Sequence, residues 1–188
     1  MKWLIVSQSF AMVAASVSFP FYLLFIQNIG SSFSSFGFAY GLFTLSAAIS
    51  HRFIGRLSDL IGGPSLLVIY SIGMSFLFLF IPSAGSIHEV YFIQVGLGVL
   101  GALQKTSEKV VVSEVTDHAS RGKSIGVYHF WTSLFSSGAV MGTGFLLDYF
   151  TINVIFYACS IFFLTSGILI MAFWSRLKRT VPLKNERA

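Results

Sequence analysis

Long apolar runs follow one another along this chain, and most of its charged side chains lie in the short segments between them or near the two ends. Only 10% of the 188 residues are charged, and 55% are hydrophobic, whereas soluble domains carry about 25% charged residues. A soluble fold of this size would expose too much apolar surface. The pattern therefore predicts an all-helical integral membrane protein with no separate soluble domain.

Each apolar run is assigned to one helix, because a membrane span needs roughly 20 apolar residues. The six predicted transmembrane helices cover residues 3–26, 36–50, 64–81, 89–110, 124–147 and 153–174. The first run is longer than the core of a signal peptide, so we expect it to be retained as a helix. The fourth is short before Lys105, and we expect it to continue into the cytoplasm as one helix. Residues 1–175 are thus predicted to form one bundle, followed by a basic cytoplasmic tail at 176–188.

All twelve lysines and arginines fall on one side of this arrangement, and the turns on the opposite side contain none. The basic residues are Lys2, Arg52, Arg56, Lys105, Lys109, Arg121, Lys123, Arg176, Lys178, Arg179, Lys184 and Arg187. Because basic segments stay in the cytoplasm, both termini are predicted to be cytoplasmic and the protein to lie in the cytoplasmic membrane. The net charge of +5 then reflects contact with anionic lipid headgroups, and no nucleic-acid partner is expected.

The polar segment between the second and third predicted helices reads HRFIGRLSDLIGGP. Its Gly55, Leu57, Asp59 and Gly62 form G-x-L-x-D-x-x-G, which resembles the loop between transmembrane helices 2 and 3 in the major facilitator superfamily of transporters. The resemblance implies that this loop, including Arg56, acts as a gating latch between two halves of a transporter. Glycine permits a tight chain reversal, and Asp59 is expected to cap the next helix or to pair with an arginine.

The resemblance covers essentially the whole chain and implies a particular architecture. In this family six helices form two inverted three-helix repeats, and two such halves make the twelve-helix unit. Alternating access requires two bundles that rock about a central site. A second six-helix half is therefore an expected partner, either as a second copy of this chain or as a separate chain. Membrane lipid and a small-molecule substrate are the other expected partners.

Two further segments resemble parts of the same family. DHASRGKSIG is similar to the loop between helices 4 and 5, and its Arg121 is expected to pair with Asp59 or Glu114 at the cytoplasmic face. SSGAVMGTG in the fifth helix is similar to the glycine-rich segment of proton-driven drug antiporters, and its small-residue spacing favours tight helix packing. The glycines concerned are Gly138, Gly142 and Gly144.

Three polar residues inside apolar runs are candidates for a substrate or ion pathway. Lys105 and Glu108 lie three residues apart, so they share a helix face and are expected to pair. Ionisable groups at membrane depth usually face a cavity, although snorkelling of both groups to the headgroups is an alternative. Gln8 in the first helix is expected to line the same cavity.

The sequence favours transmembrane transport of a small solute, with proton-linked export as the expected mode. A non-transporting or truncated membrane half, acting as a scaffold or receptor, is an open alternative. Ser137 followed by Gly138 locally resembles the nucleophile of a rhomboid-type intramembrane protease, but the sixth helix lacks the histidine that would accept the serine proton. No metal cluster, phosphate loop or cofactor motif is present, so no cofactor and no enzymatic activity are predicted.

Overall fold

The computed structural model describes residues 1–29 and 32–180, and every regular element in these ranges is helical. Two 3-10 turns, at Ile81–Ser83 and His118–Ser120, precede the fourth and fifth helices. The six long helices are α1 (Lys2–Asn28), α2 (Phe33–Ile61), α3 (Gly63–Phe80), α4 (Ile87–Glu114), α5 (Arg121–Leu146) and α6 (Ile152–Thr180). Residues 181–188 of the predicted tail lie outside the described residues, and residues 176–180 belong to α6 rather than to a tail.

Local sequence signals explain where three of the helices begin. The Ser32 hydroxyl caps α2 by accepting a hydrogen bond from the backbone N–H of Ser35. A capping box starts α4, because Ser86 and Glu89 each accept from the other's backbone N–H. Pro64 lies in the first turn of α3, where its missing N–H leaves no intrahelical bond unmade.

The polar segment after Ser50 differs from the prediction of a loop. Helix α2 continues to Ile61, so the residues of this segment lie on the last three turns of a helix. Gly62 alone separates α2 from α3, with φ of +83°, a conformation that favours glycine. Its N–H donates to the Ser58 carbonyl oxygen at 3.0 Å. The predicted loop is wrong because its charged residues are compatible with a helix that extends beyond the apolar run.

The core of the bundle lies among α1, α3, α4 and α6, whereas α2 packs mainly against α4 and α5 mainly against α1. Aromatic rings fill the centre between α1, α3 and α6. The rings of Phe78 and Phe163 are 5.1 Å apart, and those of Phe25 and Phe156 meet edge to face at 5.4 Å. This arrangement leaves one long side of both α2 and α5 without a covering helix in the described part of the chain.

Serine pairs join α3 to α6 inside the bundle. The Ser160 hydroxyl donates to the Ser75 carbonyl oxygen at 2.8 Å and lies 3.0 Å from the Ser75 hydroxyl. One and a half turns along α6, Ser166 accepts a hydrogen bond from Ser71 at 3.4 Å. Small hydroxyl side chains allow close helix approach and form hydrogen bonds in apolar surroundings. These contacts fix the relative position of α3 and α6, which closes the bundle behind the cavity described next.

Four helices, α1, α2, α3 and α6, are long and apolar enough to cross a membrane. Helix α4 carries Lys105, Glu108 and Lys109 in its second half, and α5 begins with Arg121 and Lys123. The six spans and the inverted-repeat arrangement remain predictions.

Candidate functional site

A cavity of about 220 Å³ lies between α1, α2, α3 and α4. Aromatic side chains are six of its fourteen lining residues. Successive rings on α2 stack on one another, Phe36 on Tyr40 at 6.4 Å and Tyr40 on Phe43 at 5.8 Å. The aromatic lining residues are Tyr22, Phe36, Tyr40, Phe43, Tyr70 and Phe78. These rings make this part of the wall largely apolar.

Polar groups enter this cavity chiefly from α4. Gln94 lies towards the N-terminal end of α4, and Gln104 and Lys105 lie three turns further along it. Ser18 adds a hydroxyl from α1, but that hydroxyl already donates to carbonyl oxygens of its own helix. Lys105 is the sole charged residue among those that line the cavity in the described part of the chain.

Behind this lining lies a half-buried carboxylate, Glu108. Its Oε2 accepts a hydrogen bond of 2.6 Å from Nε2 of Gln104, one turn away on α4. The carboxylate also interacts electrostatically with the hydroxyls of Tyr70 on α3 and Tyr128 on α5. The Tyr128 hydroxyl is buried and faces the Glu108 carboxylate. Gln104 therefore connects the cavity to a half-buried acidic group that interacts with two tyrosines.

The expected pairing of Lys105 with Glu108 is wrong. No salt bridge joins them among the described side chains, since Lys105 is exposed at the cavity and Glu108 bonds to Gln104 instead. Positions three apart on a helix are neighbours, but so are positions four apart. Gln104, four residues from Glu108, donates the hydrogen bond to its carboxylate. Lys105 instead lines the cavity.

Gln8 is fully buried, and neither its amide nitrogen nor its amide oxygen has a hydrogen-bond partner in the described chain. It does not line the cavity. It lies two helical turns before Ala15, which does, and residues seven apart share a helix face. Gln8 thus lies nearer the N-terminus of α1 than the cavity, on the same side of the helix, and its amide has no hydrogen-bond partner in the described chain.

The residues of the G-x-L-x-D-x-x-G pattern do not form a compact latch within this chain. Gly55 lies in the middle of a helical turn, and a Cβ there would meet no atom within 4 Å, so it makes no close helix contact. Arg56 and Asp59 are exposed, and the N-terminus of α3 has no side-chain cap. Gly62 supplies the chain reversal. The expected cap by Asp59 is therefore wrong, and a gating role for this group stays a prediction.

Arg121 begins α5 and contacts the end of α4. Its Nη2 donates to the Ser113 carbonyl oxygen at 3.2 Å, one of the last carbonyls of α4, which lack intrahelical partners. A cation at this position also complements the helix dipole. No salt bridge joins Arg121 to Asp59 or to Glu114 among the described side chains, so the expected pairing is wrong. Partial burial raises the pKa of the Glu114 carboxyl above its ordinary value.

The glycines of α5 do not pack within this chain. A Cβ added to any of them would meet no atom within 4 Å: Gly138, Gly142 and Gly144. The side chains around them are equally open, since Met141 is 70% exposed and Phe145 is 73% exposed. The prediction of tight packing is therefore wrong for contacts inside the chain. The reason is that α5 turns this side away from α1, its main neighbour.

Sequence reasoning missed three features of the site. Gln104 is neutral and adjacent to a lysine, so its charge does not single it out. Its spacing of four from Glu108 nevertheless indicates that the two side chains can meet on one helix face. His51 Nδ1 lies 3.0 Å from the Thr106 hydroxyl and ties the end of α2 to α4. Gly63 presses α3 against α4, where a Cβ would lie 2.7 Å from a Val111 methyl carbon.

Buried polar groups beside a cavity in a bundle of membrane-length helices are typical of proteins that move a solute through a membrane. The sequence profile of the Major Facilitator Superfamily matches residues 4–188. The chain belongs to this superfamily, and it is accordingly a multi-pass membrane protein of a transporter family rather than an enzyme.

Curated relatives agree with this assignment. The chain is 51% identical over 158 residues to the uncharacterized MFS-type transporter YitZ of Bacillus subtilis, an alignment that covers 84% of this chain and 96% of YitZ. It is 26% identical over 172 residues to the multidrug resistance protein MdtG of Klebsiella pneumoniae, covering 85% of this chain and 38% of that protein. The MdtG of Salmonella newport is also 26% identical, over 168 residues, with 85% and 39% covered. No solved structure gives a significant match.

Proposed function

We propose that this chain is one six-helix half of a two-bundle transporter that exports a small solute across the cytoplasmic membrane in a proton-linked cycle. The observation that carries the proposal is the hydrogen bond between Gln104 and Glu108, because it joins the wall of a cavity to a half-buried acid. Ionisable groups inside membrane bundles commonly mark substrate or proton pathways. We place six spans in the membrane, arranged as two inverted repeats with both termini in the cytoplasm.

The open side of α5 supports the need for a second bundle. Three glycines and a set of large apolar side chains lie there without a covering helix in the described chain. Alternating access requires two bundles that move against each other around a site. The chain spans about 38% of the MdtG protein from Klebsiella pneumoniae, which leaves room in that relative for a further bundle. The partner half is either a second copy of this chain or a separate chain.

Glu108 is the proposed proton carrier. It is half-buried, and the groups that face it are the Gln104 amide and the hydroxyls of Tyr70 and Tyr128. Protonation of Glu108 would weaken its bond to Gln104 and so change the polar groups that α4 presents to the cavity, which links the protonation state of Glu108 to the solute site. Gln8, with its unmet amide, is the proposed polar continuation of this path along α1.

The cytoplasmic gate is proposed to lie at the junction of α2, α3 and α5. Gly62 reverses the chain there, and Arg56 and Asp59 extend into solvent from the last turns of α2. Arg121 holds the start of α5 against the end of α4. Exposed charges of this kind are available to groups on a second bundle, which is the setting in which the family resemblance assigns them a latch role.

Accumulation of solutes in everted membrane vesicles, acidified inside by respiration, tests this function. The probes are ethidium, naphthalene-2-carboxylate and naphthalene-2-carboxamide, compared with vesicles that lack the protein. We expect accumulation of at least one probe that a protonophore abolishes. Glu108→Gln should abolish it, whereas Glu114→Gln, an exposed carboxylate on the same helix, should not. Absence of gradient-driven accumulation of every probe would favour the alternative of a non-transporting membrane half.

A further inference from the structure

We infer that the cavity between α1, α2, α3 and α4 takes a small planar aromatic anion, with its carboxylate or similar acidic group at Lys105. The inference deepens the proposed function, because it takes this cavity as the solute site. It concerns which ligand binds there, and a binding measurement on the purified protein tests it without any transport step.

The shape and lining of the cavity select a flat ligand of one or two rings. Six of the fourteen lining residues are aromatic, and aromatic ligands gain from offset or edge-to-face contacts with such rings. The volume of about 220 Å³ lies below the range of roughly 300–1,000 Å³ typical of drug-sized sites. A ligand of one or two rings matches this volume.

The charge of the lining selects an anion. Lys105 is the charged residue in the described lining, and no carboxylate belongs to that lining. A lysine ammonium offers three hydrogen-bond donors and no acceptor. Lys105 is exposed, so water screens part of the attraction between its ammonium and an acidic group, and the attraction is modest. An acidic group on the ligand can accept hydrogen bonds from the Lys105 ammonium. A cationic ligand would instead be repelled by it.

Glu108 does not reverse this preference, because it stands behind the lining and its carboxylate accepts a hydrogen bond from Gln104. Its negative charge lowers the affinity for an anion without replacing Lys105 as the group that the ligand meets. We therefore expect opposite effects when Lys105 and Glu108 on α4 are neutralised. Neutralising Lys105 should weaken binding of the anion, and neutralising Glu108 should strengthen it.

Tyr22 offers a second polar contact in the cavity. Its side chain is 8% exposed and lines the cavity, and its hydroxyl has no hydrogen-bond partner among the described residues. A buried hydroxyl without a partner carries an energetic cost that a ligand group can remove. A hydroxyl or ring nitrogen on the ligand, away from the acidic group, would satisfy it.

Calorimetric titration of the purified full-length chain in detergent tests the inference. The probes are naphthalene-2-carboxylate, its neutral carboxamide and the cation 2-naphthylmethylammonium. We expect the acid to bind about 2- to 5-fold more tightly than the amide, the range for an ion pair with an exposed lysine. The cation should bind more weakly than either. Equal affinity for acid and amide, or preference for the cation, would overturn the inference.

Matched variants locate the preference. Lys105→Gln should remove the preference for the acid, Lys105→Arg should keep it, and Lys109→Gln, an exposed lysine one turn further along α4, should leave it unchanged. Glu108→Gln should raise affinity for the acid. Tyr22→Phe should remove any gain from 6-hydroxynaphthalene-2-carboxylate over the parent acid. An unchanged affinity in Lys105→Gln would contradict the assignment even if transport were observed, and binding without transport would contradict only the proposed function.

Discussion

Helices α4 and α5 carry the same kind of glycine-rich segment but use it in opposite ways. In α4, Gly98 lies directly against α2, and a Cβ there would overlap the Phe43 carbonyl oxygen and the Ser46 hydroxyl. In α5, Gly138 and Gly142 form the GxxxG spacing, yet a Cβ at either would meet open space. The spacing of small residues therefore shows that a helix can pack closely, and the neighbour decides whether it does.

The two glycine segments also lie on different sides of the molecule, one at the cavity and the other on the open face of α5. The glycines of α4 bring α2, α3 and α4 together around the cavity, so they belong to the site within this chain. The glycines of α5 lie on a face whose apolar side chains are largely exposed, including Leu134 and Phe145. One glycine segment builds the cavity, and the other is available to a second bundle. Identical Gly→Ala substitutions can test this division directly.

Gly98→Ala should have the largest effect. The added methyl group meets backbone and a hydroxyl that cannot move without displacing α2, and overpacking of this kind costs typically about 1–3 kcal/mol. We expect a loss of about 3 kcal/mol in the free energy of unfolding, measured by unfolding in mixed micelles of SDS and a mild detergent. Gly101→Ala, where the nearest atom is a Phe43 ring carbon at 3.6 Å, is the matched control and should be tolerated.

Gly142→Ala should change stability in the opposite direction. The methyl group enters open space, and alanine reduces the conformational entropy of the unfolded chain, which stabilises compatible sites by about 0.4–1 kcal/mol. We expect an increase of this size in the same unfolding assay. A loss of stability comparable with that of Gly98→Ala would show that Gly142 is already in close contact with another helix.

Gly96→Ala should have the smallest effect. Its Cβ would lie 3.0 Å from a Leu77 methyl carbon, which a change of side-chain rotamer can relieve. The gain from alanine in a helix, about 1 kcal/mol, is expected to offset this crowding, so that the free energy of unfolding stays within about 0.5 kcal/mol of the original. A cost as large as that of Gly98→Ala would mean that α3 is held against α4 as rigidly as α2 is.

Much of the helical architecture follows from the sequence. Long apolar runs predict the helices, and Pro64 predicts the start of α3 to within a residue. The end of α2 does not follow, because hydropathy marks where a helix leaves apolar surroundings and not where its backbone stops being helical. Helix α2 passes through His51 and Asp59 and ends only where Gly62 adopts a positive φ.

The site is less predictable from the sequence than the helices are, because its contacts depend on which helices are neighbours. Lys105 and Glu108 are singled out by their charge in an apolar run. Spacing alone does not show whether Glu108 pairs with Lys105 or with Gln104, and in the structure it accepts a hydrogen bond from Gln104. The environments of Gly98 and Gly142 are likewise indistinguishable in sequence. Tyr22 gives no signal as a cavity residue until α1 is seen beside α2 and α4.

The central claim is that a second bundle covers the open face of α5. Light scattering of the protein in a mild detergent, with the detergent mass subtracted, tests it most directly. The account predicts twice the chain mass of 20.7 kDa, or an equimolar partner of similar size, and a shift towards the single chain in Gly142→Leu with the helical content unchanged. A wild-type protein that measures as a single chain, with Gly142→Leu identical to it, would contradict the account.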